Sequence, residues 1–237
     1  MDCMSSVTLK VSTPGNTCYP LIRGYYCDIR GRVFGQELGW NLSSCDDLLV
    51  SSRADYGAYA ALYDPLISQP IGAVRGVGLS FEFPHADLFA HHMSSSHFTG
   101  SLSHSFTLNG LAVVKSYRNS TFLESPRSWT SSAGNLLAMA ILDYYETLGY
   151  LGCVLTAGGS KACRFFSRLG FQVIDHPIVT ELHALPLVNM AMSFNSRTYA
   201  RLKIKVTAGQ RRRSLPAVRI ANGLDEFIEN RLRALRM

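Results

Sequence analysis

The sequence predicts an α/β (or α+β) protein, a sheet with helices packed on its faces, and three observations predict it. The second half alternates: the apolar helix pattern "SSAGNLLAMAILDYYETLGY", the short apolar run "LGCVLTA", the helix "GSKACRFFSRLG" and the strand-like "FQVID". Earlier, "AYAALYD" and "QPIGAVRGVGLSF" read as two strands joined by a turn containing Asp64, Pro65, Gln69 and Pro70. The composition, 47% hydrophobic and 17% charged, is that of a folded chain rather than a disordered one.

Each element follows from its local pattern. Residues 5–11 suit a first strand. From about 19 to 38 the spacing of Ile29, Val33, Phe34 and Leu38 predicts a helix, with Gly39 placed to end it by taking positive φ. The polar "NLSSCDDLLVSSRAD" reads as a loop, "FPHADLFAHHM" as a short helix and "SSSHFTGSLSHS" as a further loop, which leads into the strand "FTLNGLAVVKS". The helix beginning at Ser131 has a Ser start and an almost all-round apolar body, so it packs on a sheet. Gly170 closes the next helix, and "LPLVNMAMSF" and "RLKIKVT" suggest two more strands. From about 208 a basic extension follows, in which Leu224, Phe227, Ile228 and Leu232 share one face of an amphipathic helix. The domain expectation is therefore a catalytic-size unit over 1–207 and an extension over 208–237.

Charge and cysteine usage narrow the function classes. The formal net charge of +6 is concentrated in "GQRRRSLPAVR" and "ENRLRALRM", a surface suited to an acidic partner. No nucleic-acid-binding signature accompanies it, so nucleic acid is not the expected partner. No apolar run approaches the length of about 18 residues that a membrane span needs. The start "MDCMSSVTLKV" lacks the apolar core of a signal peptide, so a cytoplasmic location is expected. The six cysteines include no C-x-x-C pair, and the adjacent His91 and His92 point to different helix faces, so no metal site is expected.

Two sets of residues resemble known families. "LAVVKSYR", "GNLLAMAILDYYETLGY" and "CVLTAGGSKACRFFSRLGFQVID" resemble the core of the GNAT acyltransferases; Ala162, Phe165, Phe166, Arg168, Gly170 and Phe171 match the helix motif A-x-x-F-[YF]-x-[KR]-x-G-F. Arg30, Phe34 and Trp40 resemble the R-x-x-x-F-x-x-x-x-x-W signature of the acyl-homoserine-lactone (autoinducer) synthases, whose layout the N-acyl amino acid synthases share. Asp55 and the G-x-x-R pair Gly72 and Arg75 extend that match, which covers roughly residues 20 to 195. The chain departs from the autoinducer synthases at Thr107 and Gly110, where they carry Glu and Arg, and at Ser52, where they carry an acid. The phosphate loop R-x-x-G-x-G/A is replaced by the insertion "NSTFLESPRSWTSS", and Phe166 stands where acetyl-CoA enzymes often have a Tyr.

The resemblance implies a GNAT-like fold with a central mixed twisted sheet and helices on both faces. It also implies transfer of a fatty acyl group from an acyl-carrier-protein or acyl-CoA thioester to a primary amine. No permanent cofactor is implied; acyl carrier protein (through phosphopantetheine) or acyl-CoA is a co-substrate, and the acceptor is an amino acid or a peptide being lipidated. Such chemistry needs an amine placed near a thioester, backbone N–H groups for the oxyanion, and removal of a proton. The resemblance puts the thioester at the splayed strand "LAVV", with Ala112, Val113 and Val114 beside it and Val113 as backbone donor. Ser131, Ser132, Gly134 and Asn135 open a helix whose free N–H groups suit a phosphate, and Arg164 and Lys161 add charge. Arg30, Phe34, Trp40, Asp55 and Arg75 are the acceptor-pocket candidates. For the base, His104, Glu82 and Thr107 all remain open. Two alternatives are kept, an acyl-homoserine-lactone synthase and a non-catalytic basic binding protein of the same fold.

Overall fold

A computed structural model describes residues 7–40, 57–78, 104–118, 132–174, 187–203 and 218–220. Its strands are β1 (Val7–Ser12), β2 (Ala58–Asp64), β3 (Gln69–Gly78), β4 (Ser105–Val113), β5 (Gly152–Gly158), β6 (Gln172–Val173), β7 (Leu187–Ser193) and β8 (Val218–Ile220). The helices are α1 (Tyr19–Arg30), α2 (Ala133–Thr147), α3 (Gly159–Arg168) and α4 over 197–203. The strands form one 8-stranded sheet in the order β6-β7-β5-β4-β3-β2-β1-β8. Pairing is antiparallel except at β4–β5 and β1–β8, so the sheet is mixed, as expected.

Helices cover both faces. On one, α1 lies across β2 and β3: Tyr19 and Tyr26 meet the ring of Tyr59 edge-on at 5.5 and 5.1 Å, and Tyr25 stacks on Tyr63 at 5.6 Å. On the other, α2 buries Leu137, Ala138, Ile141, Leu142 and Tyr145. Each large aliphatic residue buried in this way contributes about 1.5–3 kcal/mol. The approach of α2 is set by glycines in β3: a Cβ at Gly76 would stand 2.4 Å from the Tyr145 ring and 2.7 Å from Ile141. Tyr145 also stacks on Phe106 of β4 at 4.1 Å and donates its hydroxyl to the Gly76 carbonyl at 2.7 Å, while burial pushes the phenol far up and keeps it neutral. Phe165 of α3 touches the start of α2 at Gly134, so α2 and α3 share this face.

Several sequence expectations change. The predicted helix over 19–38 is α-helical only to Arg30; Gly31–Glu37 continues as a π-helical turn, with Leu38 N–H bonded to Val33 O at 3.1 Å and Trp40 N–H to Phe34 O at 2.8 Å. The wider turn admits one extra residue, and Gly39 ends it at φ +68, as its position predicts. "RLKIKVT" is not a strand where it is described, since 201–203 complete α4. Ser196 accepts from the Tyr199 N–H at 3.2 Å, capping the helix, and Tyr199 and Leu202 are buried at helical spacing. Lys203 then pairs with Asp143 and Glu146 on α2. "FQVID" contributes only the two-residue β6. In the basic extension, Val218–Ile220 is a strand paired in parallel with β1, not helix. The loops and short helix expected over 41–55 and 84–105 lie outside the described residues, apart from the approach to β4, as do the aligned Ser52 and the helical face from Leu224 to Leu232.

Candidate active site

Strands β4 and β5 pair only at their beginnings, Ser105–Thr107 against Gly152–Val154. Beyond Thr107 they separate, and β4 remains bonded to β3 alone. The separation coincides with a bulge: Arg75 opposes Asn109 and Ala73 opposes Ala112, so Val74 faces both Gly110 and Leu111. Gly110 holds φ +57, a conformation that costs an ordinary L-residue about 1–2 kcal/mol. It also lies beneath Tyr26 of α1, where a Cβ would stand 2.5 Å from the phenol oxygen. Glycine is required there on both counts.

The unpaired edge of β4 presents backbone donors to the cleft. Val114 N–H bonds to Ile71 O on β3 at 3.0 Å. Strand alternation therefore turns the Val113 N–H and carbonyl to the opposite edge, toward the gap. The Val113 carbonyl accepts from Arg118 Nε at 2.8 Å, and Arg118 in turn pairs with Glu37 of the π turn. Ala112, Val113 and Val114 are all buried.

The π turn roofs the far side of the gap. Phe34 and Trp40 stack at 4.8 Å, and the Trp40 indole reaches β5, lying 3.5 Å from the point where a Gly158 Cβ would stand. Arg30, half-buried, ends α1 immediately before that turn. Arg75 is buried and places its guanidinium 5.6 Å from the Tyr59 ring centroid, with Nε close to Gly57. Of the acceptor-side candidates, Phe34 and Trp40 meet directly, whereas Arg75 leans over β2; Asp55 lies outside the described residues.

The start of α2 stands beside the mouth of the cleft. Gly72, the register partner of Val113, lies under Leu137 in the first part of α2. Ser132 caps the helix by accepting from Asn135 N–H at 3.4 Å, and Asn135 is buried. This brings Ser132, Gly134 and Asn135 to the same end of the sheet as Ala112–Val114. Arg164 and Lys161 lie exposed on α3. Ser131 is outside the described residues.

The base candidates are not brought together. His104 is exposed at the opposite end of β4 from Val113, roughly 30 Å away at the usual strand rise. Glu82 is outside the described residues, and Thr107 is buried at the root of the cleft. Every carboxylate among the described residues is engaged elsewhere: Asp28 with Arg32, Glu37 with Arg118, Asp64 with Tyr117, and Asp143 and Glu146 with Lys203.

Sequence reasoning missed a polar row across the cleft. Asn109 on β4, Thr156 on β5 and Asn189 on β7 lie on the α1 side of the sheet, with Thr107 one step nearer the root. Thr156 donates its hydroxyl to Asn189 Oδ1 at 2.9 Å. The available signal was the polar residues inside the apolar runs "FTLNGL" (two), "CVLTAG" (one) and "LVNMAM" (one).

No protein-family model and no curated protein matches the sequence. Solved structures match it closely in shape. The CoA-dependent acyl-homoserine lactone synthase BjaI, determined with SAM and isopentyl-CoA, superposes over 90% of this chain and 93% of its own, at a TM-score of 0.61 and 16% identity. TofI, in a ternary complex with an inhibitor and MTA, covers 84% of this chain and 98% of its own at a TM-score of 0.58 and 17% identity. FeeM, an N-acyl amino acid synthase from uncultured soil microbes, covers 79% and 91% at a TM-score of 0.54 and 14% identity. The chain has the α/β, GNAT-like fold that these structures share.

Proposed function

We propose that the protein is an N-acyltransferase that moves a fatty acyl group from a carrier-protein or CoA thioester to the primary amine of an amino acid or peptide. The observation that carries this reading is the cleft where β4 leaves β5, with an unpaired β4 edge and Trp40 across it from the side of β5. Its place in a fold shared with acyl-homoserine lactone and N-acyl amino acid synthases supports the same assignment.

The chemistry asks for geometry more than for reactive side chains. A pantetheine arm lying along β4 would form the hydrogen bonds that β5 gives up, and the thioester oxygen would face backbone N–H groups such as that of Val113. The amine nitrogen attacks the carbonyl carbon, the C–N bond forms, and the oxyanion collapses with cleavage of C–S. The proton lost from the amine balances the thiolate that leaves as a thiol. The α2 start presents backbone N–H groups such as that of Gly134 to the phosphate of the arm, while the Asn135 N–H is held by Ser132 Oγ.

Two features bear on the donor. The chain lacks the R-x-x-G-x-G/A run and has a basic extension, both of which favour an acidic carrier protein. The likeness to a CoA-dependent enzyme favours CoA. A second acceptor reading, homoserine-lactone formation, is disfavoured by Thr107 and Gly110 at the positions where the autoinducer synthases carry Glu and Arg. Mass spectrometry of organic extracts from expressing cells decides among these. New N-acyl amino acids or acylated peptides are expected; a homoserine lactone would move the chain to the alternative, and no acylated amine would refute the proposal.

A further inference from the structure

The polar row at the root of the cleft includes donors without acceptors. Asn189 is fully buried, and Thr156 occupies its Oδ1, yet its Nδ2 bonds to nothing. Asn109 Nδ2 and Thr107 Oγ1 are likewise buried atoms without a partner. A buried donor left unmade is costly, so such groups are retained where something accepts from them.

The row is assembled by register rather than by local sequence. Thr156 opposes Asn189 directly, and Thr107 opposes Val154, so Asn109 stands two residues beyond the last β4–β5 pair, level with Thr156 across the gap. Asn109 and Thr156 are only partly buried, unlike Asn189 and Thr107. Among the described residues no carboxylate reaches it, because all of them are engaged elsewhere. The buried Arg75 is the register partner of Asn109.

We infer that the Asn109 and Asn189 amides, the latter oriented by Thr156, form the subsite that binds the carboxylate of a free α-amino acid acceptor. This inference rests on the proposed function and names which of its acceptors is taken. A carboxylate accepts only, and it suits amide donors converging from two sides of the gap. In an α-amino acid the amine sits one carbon from the carboxylate. A carboxylate held at the row therefore lifts the amine about one strand residue, roughly 3.3 Å, toward the bulge and the unpaired β4 edge. A peptide side-chain amine carries no such carboxylate and leaves the donors unmade.

The test compares proteinogenic amino acids with their primary amides, using the full chain and both an acyl-carrier protein and an acyl-CoA as donors. The free acids should be acylated with kcat/KM about tenfold or more above the amides, the scale of a lost charge-assisted hydrogen bond. Asn189→Asp, isosteric but anionic, should raise the amino-acid KM by a similar factor while leaving the donor KM within about twofold. Asn109→Asp, at a half-buried site, gives the same readout if the Asn189 variant does not fold. Equal use of acids and amides, or an unchanged amino-acid KM in the folded variant, overturns the inference and leaves acyl transfer standing. Should no amine be acylated, the proposed function falls, and calorimetric titration of the parent protein decides the subsite alone. Binding of an acid but not of its amide supports it; absence of that preference removes it.

Discussion

Arg118 joins two parts of the site: its Nε donates to the Val113 carbonyl at 2.8 Å, and its Nη2 pairs with Glu37 of the π turn. One guanidinium thus fixes the end of β4 and ties it to the segment that carries Phe34 and Trp40. The Glu37–Arg118 pair is partly exposed and contributes little to stability by itself. Its consequence is positional. Arg118→Ala should cost about 1 kcal/mol through the lost carbonyl bond, lowering Tm by roughly 2–4 °C. Acyl transfer should fall by about tenfold or more, and Arg118→Lys, which keeps a charge but not the fork, should recover only part of it. Full activity in Arg118→Ala would mean that Val113 does not need this tie.

The contact of Trp40 with Gly158 makes side-chain size on β5 a probe of the roof. An Ala Cβ would meet the indole at 3.5–3.6 Å, an ordinary contact, so Gly158→Ala should fold normally and keep most of its activity. Gly158→Leu must displace the indole. In a Trp129→Phe background, which leaves Trp40 as the remaining tryptophan, the Leu variant should show red-shifted emission and reduced acyl transfer. Unchanged emission would place Trp40 away from β5.

The β4 bulge predicts a stability effect unusual for a Gly→Ala change. Gly110→Ala combines positive-φ strain with a 2.5 Å approach to the Tyr26 phenol, a loss of about 3 kcal/mol and a Tm drop of roughly 6–12 °C. Adding Tyr26→Phe removes the colliding oxygen and should restore part of the difference, visible in a double-mutant cycle. Simple additivity would show that the two residues do not meet.

Arg30→Lys should leave the fold within about 1 kcal/mol of the parent, a Tm change of a few degrees. If Arg30 shapes the amine pocket beside Phe34 and Trp40, acyl transfer falls by about tenfold, near 1.4 kcal/mol in the barrier. A folded, fully active Lys variant would reduce Arg30 to the polar end of α1.

Replacing Arg211, Arg212 and Arg213 with Glu should raise the Michaelis constant for an acyl-carrier protein, and the effect should shrink as salt rises. Steady-state kinetics at low salt read this directly, and an unchanged constant removes the extension from carrier recognition.

Local pattern was enough to find α1, α2, α3 and the central strands, because apolar spacing and helix-ending glycines act over a few residues. Arg30, Phe34 and Trp40 were singled out by a family resemblance, and the stacking of Phe34 on Trp40 follows from their nearness on one short segment. Local pattern does not show the cleft, since it arises where β4 stops pairing with a strand some forty residues later in the chain; only the family resemblance put the thioester at "LAVV". Nor does local pattern show the polar row, whose Asn109, Thr156 and Asn189 come from three strands and meet only through register. "RLKIKVT" misled because alternation suggests a strand, whereas Ser196 capping and the burial of Tyr199 and Leu202 favour a helix. Val218–Ile220 likewise became a strand because β1 offered an open edge. Short-range propensities select the elements; long-range backbone pairing decides which side chains share a cleft, and one sequence window contains no record of that partner.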